Sequence, residues 1–220
     1  MSDSISQNLQ QLKSEISDNV TLVAVSKTKP NQAIMEAYTT GHRIFGENKV
    51  QEMTQKWEEL PRDIQWHMIG HLQTNKVKYI APYVSLIHSL DRVKLANEID
   101  RQGARYRRVI DCLIQIKIAK EEEKYGFDPK EALIFLEHLR TKPMENINIR
   151  GVMGMATFTH DREQIKHEFS VLKSFFDQNK SAHNLEILSM GMSGDYPLAL
   201  ELGSNMIRVG SAIFGSRPAH

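Results

Sequence analysis

Eight short apolar runs rich in β-branched residues recur along the chain, each followed by a polar stretch with helical patterning. The runs are Thr21–Ser26, Arg43–Gly46, Trp66–Gly70, Val84–Ser89, Val109–Ile118, Ile149–Ala156, Leu185–Met190 and Met206–Phe214. Between them, helices are predicted over Asn31–Thr39, Asn48–Glu59, Asn75–Ala81, Arg92–Arg105, Pro129–Thr141, Arg162–Asn179 and Pro197–Leu202. Asp128 before Pro129 and Asp161 before Arg162 are start signals, and Gly203 is a stop signal. Strict alternation of this kind points to an α/β protein, a single (β/α)8 TIM-type barrel. The rival is an open doubly wound sheet, which would carry a glycine-rich phosphate loop after its first strand. Here that place reads Ser26-Lys27-Thr28-Lys29-Pro30. An extra N-terminal helix over Ile5–Ile16 is expected to cover the bottom of the barrel. No Pro/Gly linker or low-complexity segment divides residues 1–220, so one domain is expected.

Composition narrows the partners. Twenty-eight basic residues against 27 acidic ones leave a net charge of +1, which gives no electrostatic reason to expect nucleic acid or a membrane surface. The cluster Arg105-Tyr106-Arg107-Arg108 reads as a solvated helix end. A lone cysteine, Cys112 in an apolar run, excludes an intrachain disulfide and a cysteine-built metal site, and a buried structural thiol is expected. The N-terminus has no signal-peptide core and no stretch is long enough to span a bilayer, so a cytoplasmic protein is expected. No exposed apolar stripe is evident, and a monomer is expected.

Chemistry in this fold gathers at the C-terminal ends of the strands. Lys27 ends the first strand, and alternation puts it on the inward face with Val23 and Val25. Apolar walls would lower its pKa and free the amine to attack a carbonyl. Position alone does not separate that role from a lysine snorkelling out of the mouth. After the seventh run comes Met190-Gly191-Met192-Ser193-Gly194-Asp195, and the eighth contains Arg208-Val209-Gly210-Ser211. Small residues and hydroxyls at these two places suit a phosphate. Arg208 shares a face with Gly210 and needs a partner, either a ligand acceptor or an internal carboxylate such as Glu47 or Glu201. Asn48 could cap a helix or touch a ligand. His67 and His71 fall on a strand and its loop, where four-residue spacing does not converge, so no metal is expected.

The stretches VAVSKTKP (23–30), FGENKVQE (45–52), WHMIGHLQTNK (66–76), LSMGMSGDYPLAL (188–200) and MIRVGSAIFG (206–215) resemble the YggS/PROSC family of pyridoxal-phosphate-binding proteins. The resemblance spans essentially the whole length. It implies a fold like the alanine racemase N-terminal domain and pyridoxal 5′-phosphate (PLP) as cofactor, carried as a Schiff base on Lys27. Ser193, Gly210 and Ser211 would bind the phosphate, Arg208 would face the pyridine nitrogen, and Asn48 would lie against the ring. Lys29 and Lys124 match lysines linked to cofactor handling. Serine at 211, where many relatives have threonine, keeps the hydroxyl.

The implied function is intracellular PLP homeostasis: binding, buffering and delivery to apo-enzymes, without a catalytic residue set. An arginine can only donate, so it favours an unprotonated pyridine nitrogen and a weak electron sink. Racemisation tolerates that but needs groups on both faces of the substrate. In alanine racemase the second comes from a further domain, which is not expected in a chain ending at His220. A low-activity racemase is the alternative; a class I aldolase would leave Arg208 without a task.

Overall fold

The computed structural model describes residues 4–120 and 125–215. Eight strands, β1 (Thr21–Val25), β2 (Ile44–Glu47), β3 (Gln65–Met68), β4 (Leu86–Leu90), β5 (Ile110–Gln115), β6 (Ile147–Met153), β7 (Ile187–Ser189) and β8 (Met206–Val209), pair in chain order into a closed barrel. Every pairing is parallel, and β1 closes on β8 with Val23 opposite Arg208. Around them lie α1 (Ile5–Glu15), α2 (Asn31–Thr39), α3 (Val50–Glu59), α4 (Val77–Ile80), α5 (Val93–Tyr106), α6 (Pro129–Thr141), α7 (Arg162–His183), α8 (Tyr196–Glu201) and α9 (Ser211–Phe214). The expected (β/α)8 barrel is the fold observed.

Parallel strands covered by helices are apolar on their outer faces. Leu22, Ala24, Phe45, Trp66 and Leu188 pack outward against helix residues such as Ile34, Met53 and Phe169. A second, smaller cluster of Val23, Leu86, Leu113, Met153 and Met206 fills the barrel interior. The inward register read for Val23 is therefore the observed one. Each large side chain fully buried in these layers contributes roughly 1.5–3 kcal/mol.

Capping follows the expected chemistry. Asp128 accepts from the Lys130 N–H at 2.8 Å within a capping box completed by Glu131. Asp161 accepts from Glu163 and Gln164.

Four expectations shift. The run Met206–Phe214 splits, because Gly210 leaves extended geometry and α9 begins at Ser211. The sixth predicted helix continues to His183. Asn179 bonds back to the Phe175 carbonyl at 2.7 Å, and Asn184 in the left-handed region makes the stop. The helix expected over Asn75–Ala81 is a 3-10 turn, Thr74–Lys76, running into the short α4, which ends before Pro82. The N-terminal helix does not lie across the barrel bottom. It joins the outer ring beside α2, and Asn8 Nδ2 donates to the Ile213 carbonyl at 3.1 Å, at the opposite end.

Gly151 on β6 sits where a Cβ would fall 1.9 Å from the Ile187 carbonyl oxygen, whereas nothing lies within 4 Å of one on Gly194. Gly151→Ala is expected to lower stability by about 2 kcal/mol or more, and Gly194→Ala to stay within about 0.5 kcal/mol, in urea unfolding. Equal midpoints for the two variants would contradict the close approach of β6 and β7.

Candidate functional site

Lys27 does not end the strand as expected: β1 stops at Val25, and Lys27 stands in the turn two residues beyond it, half-buried at the C-terminal mouth. Its backbone is gripped from the outer side of the sheet. Ser26 Oγ donates to Glu47 Oε1 at 2.6 Å, and Lys56 Nζ donates to the Ser26 carbonyl at 2.9 Å, to Glu47 Oε1 at 2.8 Å and to Glu52 Oε1 at 2.7 Å. Glu52 Oε1 also accepts from the Thr28 N–H at 2.6 Å. Thr28 has φ of 64°, a left-handed conformation that costs a β-branched residue energy, and that hydrogen bond helps hold it. Residues on both sides of Lys27 are thus fixed by a buried ion cluster. Lys56 and Glu52 were invisible as site residues in the sequence, where they read as ordinary polar helix positions.

The other predicted residues converge on the same mouth. Val25, two residues before Lys27, lies beside Gly210, where a Cβ would meet Val25 Cβ at 3.3 Å, and pairs on its other side with Gly46. The loops after β7 and β8 are joined directly, the Gly210 N–H donating to Ser193 Oγ at 3.1 Å. Among the described residues, the N–H groups of Ser193, Gly194, Ser211 and Ala212 have no protein acceptor. Gly191 makes the first turn at φ of 100°, and its carbonyl accepts from the Arg208 N–H at 3.0 Å.

Asn48 follows β2, and Gly70 lets the end of β3 press against it, since a Cβ there would fall 2.4 Å from the Asn48 carbonyl oxygen. Asn48 Oδ1 is buried without a hydrogen-bond partner. It caps no helix: α3 starts from Lys49 with no side-chain cap.

Arg208 is 3% exposed, and burial holds its pKa down to about 10, opposed by attraction to Asp195. It remains a cation at neutral pH. Neither carboxylate considered as an internal partner meets it: Glu47 pairs with Lys56 and Glu201 with Arg162. Instead Arg208 Nη1 donates to Ser189 Oγ at 2.5 Å and Nη2 to the Gly154 carbonyl at 3.1 Å. Ser189 Oγ also contacts His88 Nδ1 at 3.2 Å, and His88 Nε2 contacts His67 Nδ1 at 3.0 Å. Nothing in the spacing of these three residues announced the contacts, because they depend on strand pairing across the barrel.

His71 does not join His67. It contacts Asp91 at 3.1 Å and stacks on Tyr125, with ring centroids 3.7 Å apart. Lys29 Nζ donates to the carbonyls of Phe214 at 2.9 Å and Gly215 at 3.2 Å, binding its loop to the end of α9. Lys124 lies outside the described residues. Cys112 is buried, and burial pushes its thiol well above the usual range, which makes it unreactive.

A closed parallel barrel with a lysine, paired small-residue loops and a buried arginine at its mouth belongs to the architectural class of the alanine racemase N-terminal domain. The family model of that description matches residues 1–218. The chain belongs to the family of pyridoxal phosphate homeostasis proteins. It is 39% identical over 199 residues to the protein of that name from Aquifex aeolicus, covering 89% of this chain and 86% of the relative. With the one from Pasteurella multocida the identity is 37% over 229 residues and 97% of each chain. Among solved structures, PipY from Synechococcus elongatus without PLP superposes with a TM-score of 0.90 at 36% identity, covering 96% of this chain and all (100%) of that one. Alanine racemase from Clostridium difficile shares the fold alone, at 14% identity and a TM-score of 0.80; the chain spans 58% of its length.

Two outcomes follow from the buried charges. Glu47 is fully buried and burial raises its pKa even with Lys56 beside it. Lys56→Met should cost about 3–5 kcal/mol at neutral pH, and adding Glu47→Leu should recover most of the loss, both read by urea unfolding. A single variant as stable as the parent would mean that the cluster contributes nothing.

Burial also lowers the pKa of His42 to about 4, that of His67 to about 3, and that of His88 well below its ordinary value. Depressed folded-state values mean stability that is present above pH 6.5 and lost as pH falls towards 3. The expected slope is about 1.4 kcal/mol per pH unit for each of these histidines, measurable as proton uptake on unfolding near pH 5.

Proposed function

We propose that the chain binds pyridoxal 5′-phosphate as a Schiff base on Lys27 and serves intracellular PLP homeostasis, as a cofactor holder and donor rather than an enzyme. The observation that carries this reading is the junction of the loops after β7 and β8 through Gly210 and Ser193, beside the strand that leads into Lys27. Ser193, Gly210 and Ser211 would take the phosphate, whose oxygens match the N–H groups that lack protein acceptors. Asn48, with a buried carboxamide oxygen that has no protein partner, would lie against the ring. Arg208 would face the pyridine nitrogen. When bound, PLP supplies an aldehyde to the amine and an aromatic electron sink. PipY, 35% identical with a TM-score of 0.87, has been solved with PLP bound, and the relatives above are named for PLP homeostasis.

Arg208 favours holding over catalysis. A guanidinium offers donors only and stays charged, so a ring nitrogen facing it is held unprotonated and the sink is weak. Delivery to apo-enzymes fits such a role. A cytoplasmic setting fits a chain whose single cysteine is buried and whose described residues include no helix long and apolar enough to cross a membrane. One barrel domain would carry the whole function.

Purified protein incubated with PLP is expected to turn yellow, and borohydride to fix about one cofactor per chain on the peptide containing Lys27. Lys27→Ala should remain unmodified. Wild-type protein that stays colourless in excess PLP would defeat the reading.

A further inference from the structure

On β4, β7 and β8 the inward positions change character towards the mouth. Leu86, Ile187 and Met206 belong to the apolar interior, and two residues further on stand His88, Ser189 and Arg208. These three, with His67, are each no more than 4% exposed. They form one line of contacts across the barrel, from β3 to β8.

With every polar proton between Arg208 and His67 paired within the line, donor chemistry gives it a single direction. Arg208 can only donate, so Ser189 Oγ must accept from it. The hydroxyl has one proton, and the neighbour that can take it is His88 Nδ1. His88 must therefore carry its own proton on Nε2 and donate it to His67 Nδ1, which places the His67 proton on Nε2 as well. Both rings are neutral, since a protonated His88 would have no acceptor for Ser189. The wall thus presents Arg208 with two fixed acceptors, Ser189 Oγ and the Gly154 carbonyl, on its two terminal nitrogens. Two acceptors on separate nitrogens set the plane of a guanidinium, and a guanidinium carries about five N–H donors, so the rest stay available to a ligand.

We propose that Ser189 and His88 are positioning residues for Arg208: the directed line from Arg208 to His67 orients the guanidinium towards the bound ring and thereby sets the electronic state of the ring nitrogen. This rests on the PLP reading above. Ser189 touches the arginine and His88 acts through Ser189. Removing either acceptor leaves the guanidinium one wall contact short or frees the hydroxyl to turn away, while Lys27 and its clamp are untouched.

The test combines a measurement on the unaltered protein with a variant series. Nitrogen-15 NMR of the wild-type protein without PLP should find both His67 and His88 protonated on Nε2; a His88 protonated on Nδ1 overturns the proposal without any variant having to fold. With PLP added, Ser189→Ala and His88→Leu should still be fixed at Lys27 by borohydride, but with a displaced absorption band and affinity weaker by about three- to ten-fold. His88→Asn, whose side-chain oxygen can occupy the acceptor place of Nδ1, should restore the wild-type band. Bands that superimpose on wild type in Ser189→Ala and His88→Leu overturn the positioning role while leaving the cofactor reading intact. A wild-type protein that takes up no PLP overturns both.

Discussion

The pairing of β1 with β8 is the constraint on which the site depends. Thr21 to Ala24 lie against Met206 to Val209, joining segments about 185 residues apart in the chain. Closure removes the exposed sheet edges that an open parallel sheet would leave. It also places Lys27 beside the loop that begins at Gly210. Side chains alternate along a strand, so a slip of one residue would turn Arg208 into the helical layer and an apolar residue towards the mouth. Two side chains brace the seam from outside: Asn8 on the Ile213 carbonyl, and Lys29 on the carbonyls of Phe214 and Gly215.

Around that seam the protein buries charge in two different ways. On the outer side, Lys56 is satisfied by two carboxylates and a carbonyl, and the cluster grips the backbone on both sides of Lys27. A cluster of this kind adds little net stability, because desolvation offsets much of the Coulomb attraction. Its value is geometric: the loop cannot relax without leaving Glu47 buried beside an empty place. On the inner side, Arg208 meets a hydroxyl and a carbonyl, neither of them charged. The lysine is therefore held by its backbone and the arginine by its head group.

Much of this was legible from local pattern. Runs and helices alternate in the chain itself, so the barrel could be read directly, and Lys27, Ser193, Gly210 and Arg208 stand at or shortly beyond strand ends that alternation identifies. Boundaries moved where one residue's conformation decided the matter, as at Gly210 and Asn184. The polar residues behind the site were not legible. His67, His88 and Ser189 come from three strands, and only closure of the barrel sets them in line. Lys56 and Glu52 are one helical turn apart, a spacing that on any exposed helix forms an ordinary surface pair. Their burial is a tertiary fact. For Arg208 the sequence left open a carboxylate partner; Glu47 and Glu201 are engaged elsewhere.

Among the described residues no carboxylate contacts Arg208, and this has an energetic consequence. A desolvated cation whose nearest partners are neutral is carried at a cost, visible in the lowering of its pKa to about 10. Asp195 offsets part of it through space, while its Oδ1 is engaged by the Met192 N–H at 2.6 Å. The line of neutral groups behind Arg208 ends in imidazoles that burial keeps uncharged, so it cannot supply the missing negative charge. What remains is the mouth, where acceptor-free N–H groups add to the same positive field. An anionic ligand there would relieve a cost already present in the folded chain, and such binding would stabilise the barrel by an amount that grows with the logarithm of ligand concentration. The way the arginine is held would thus favour an anion at this end of the barrel.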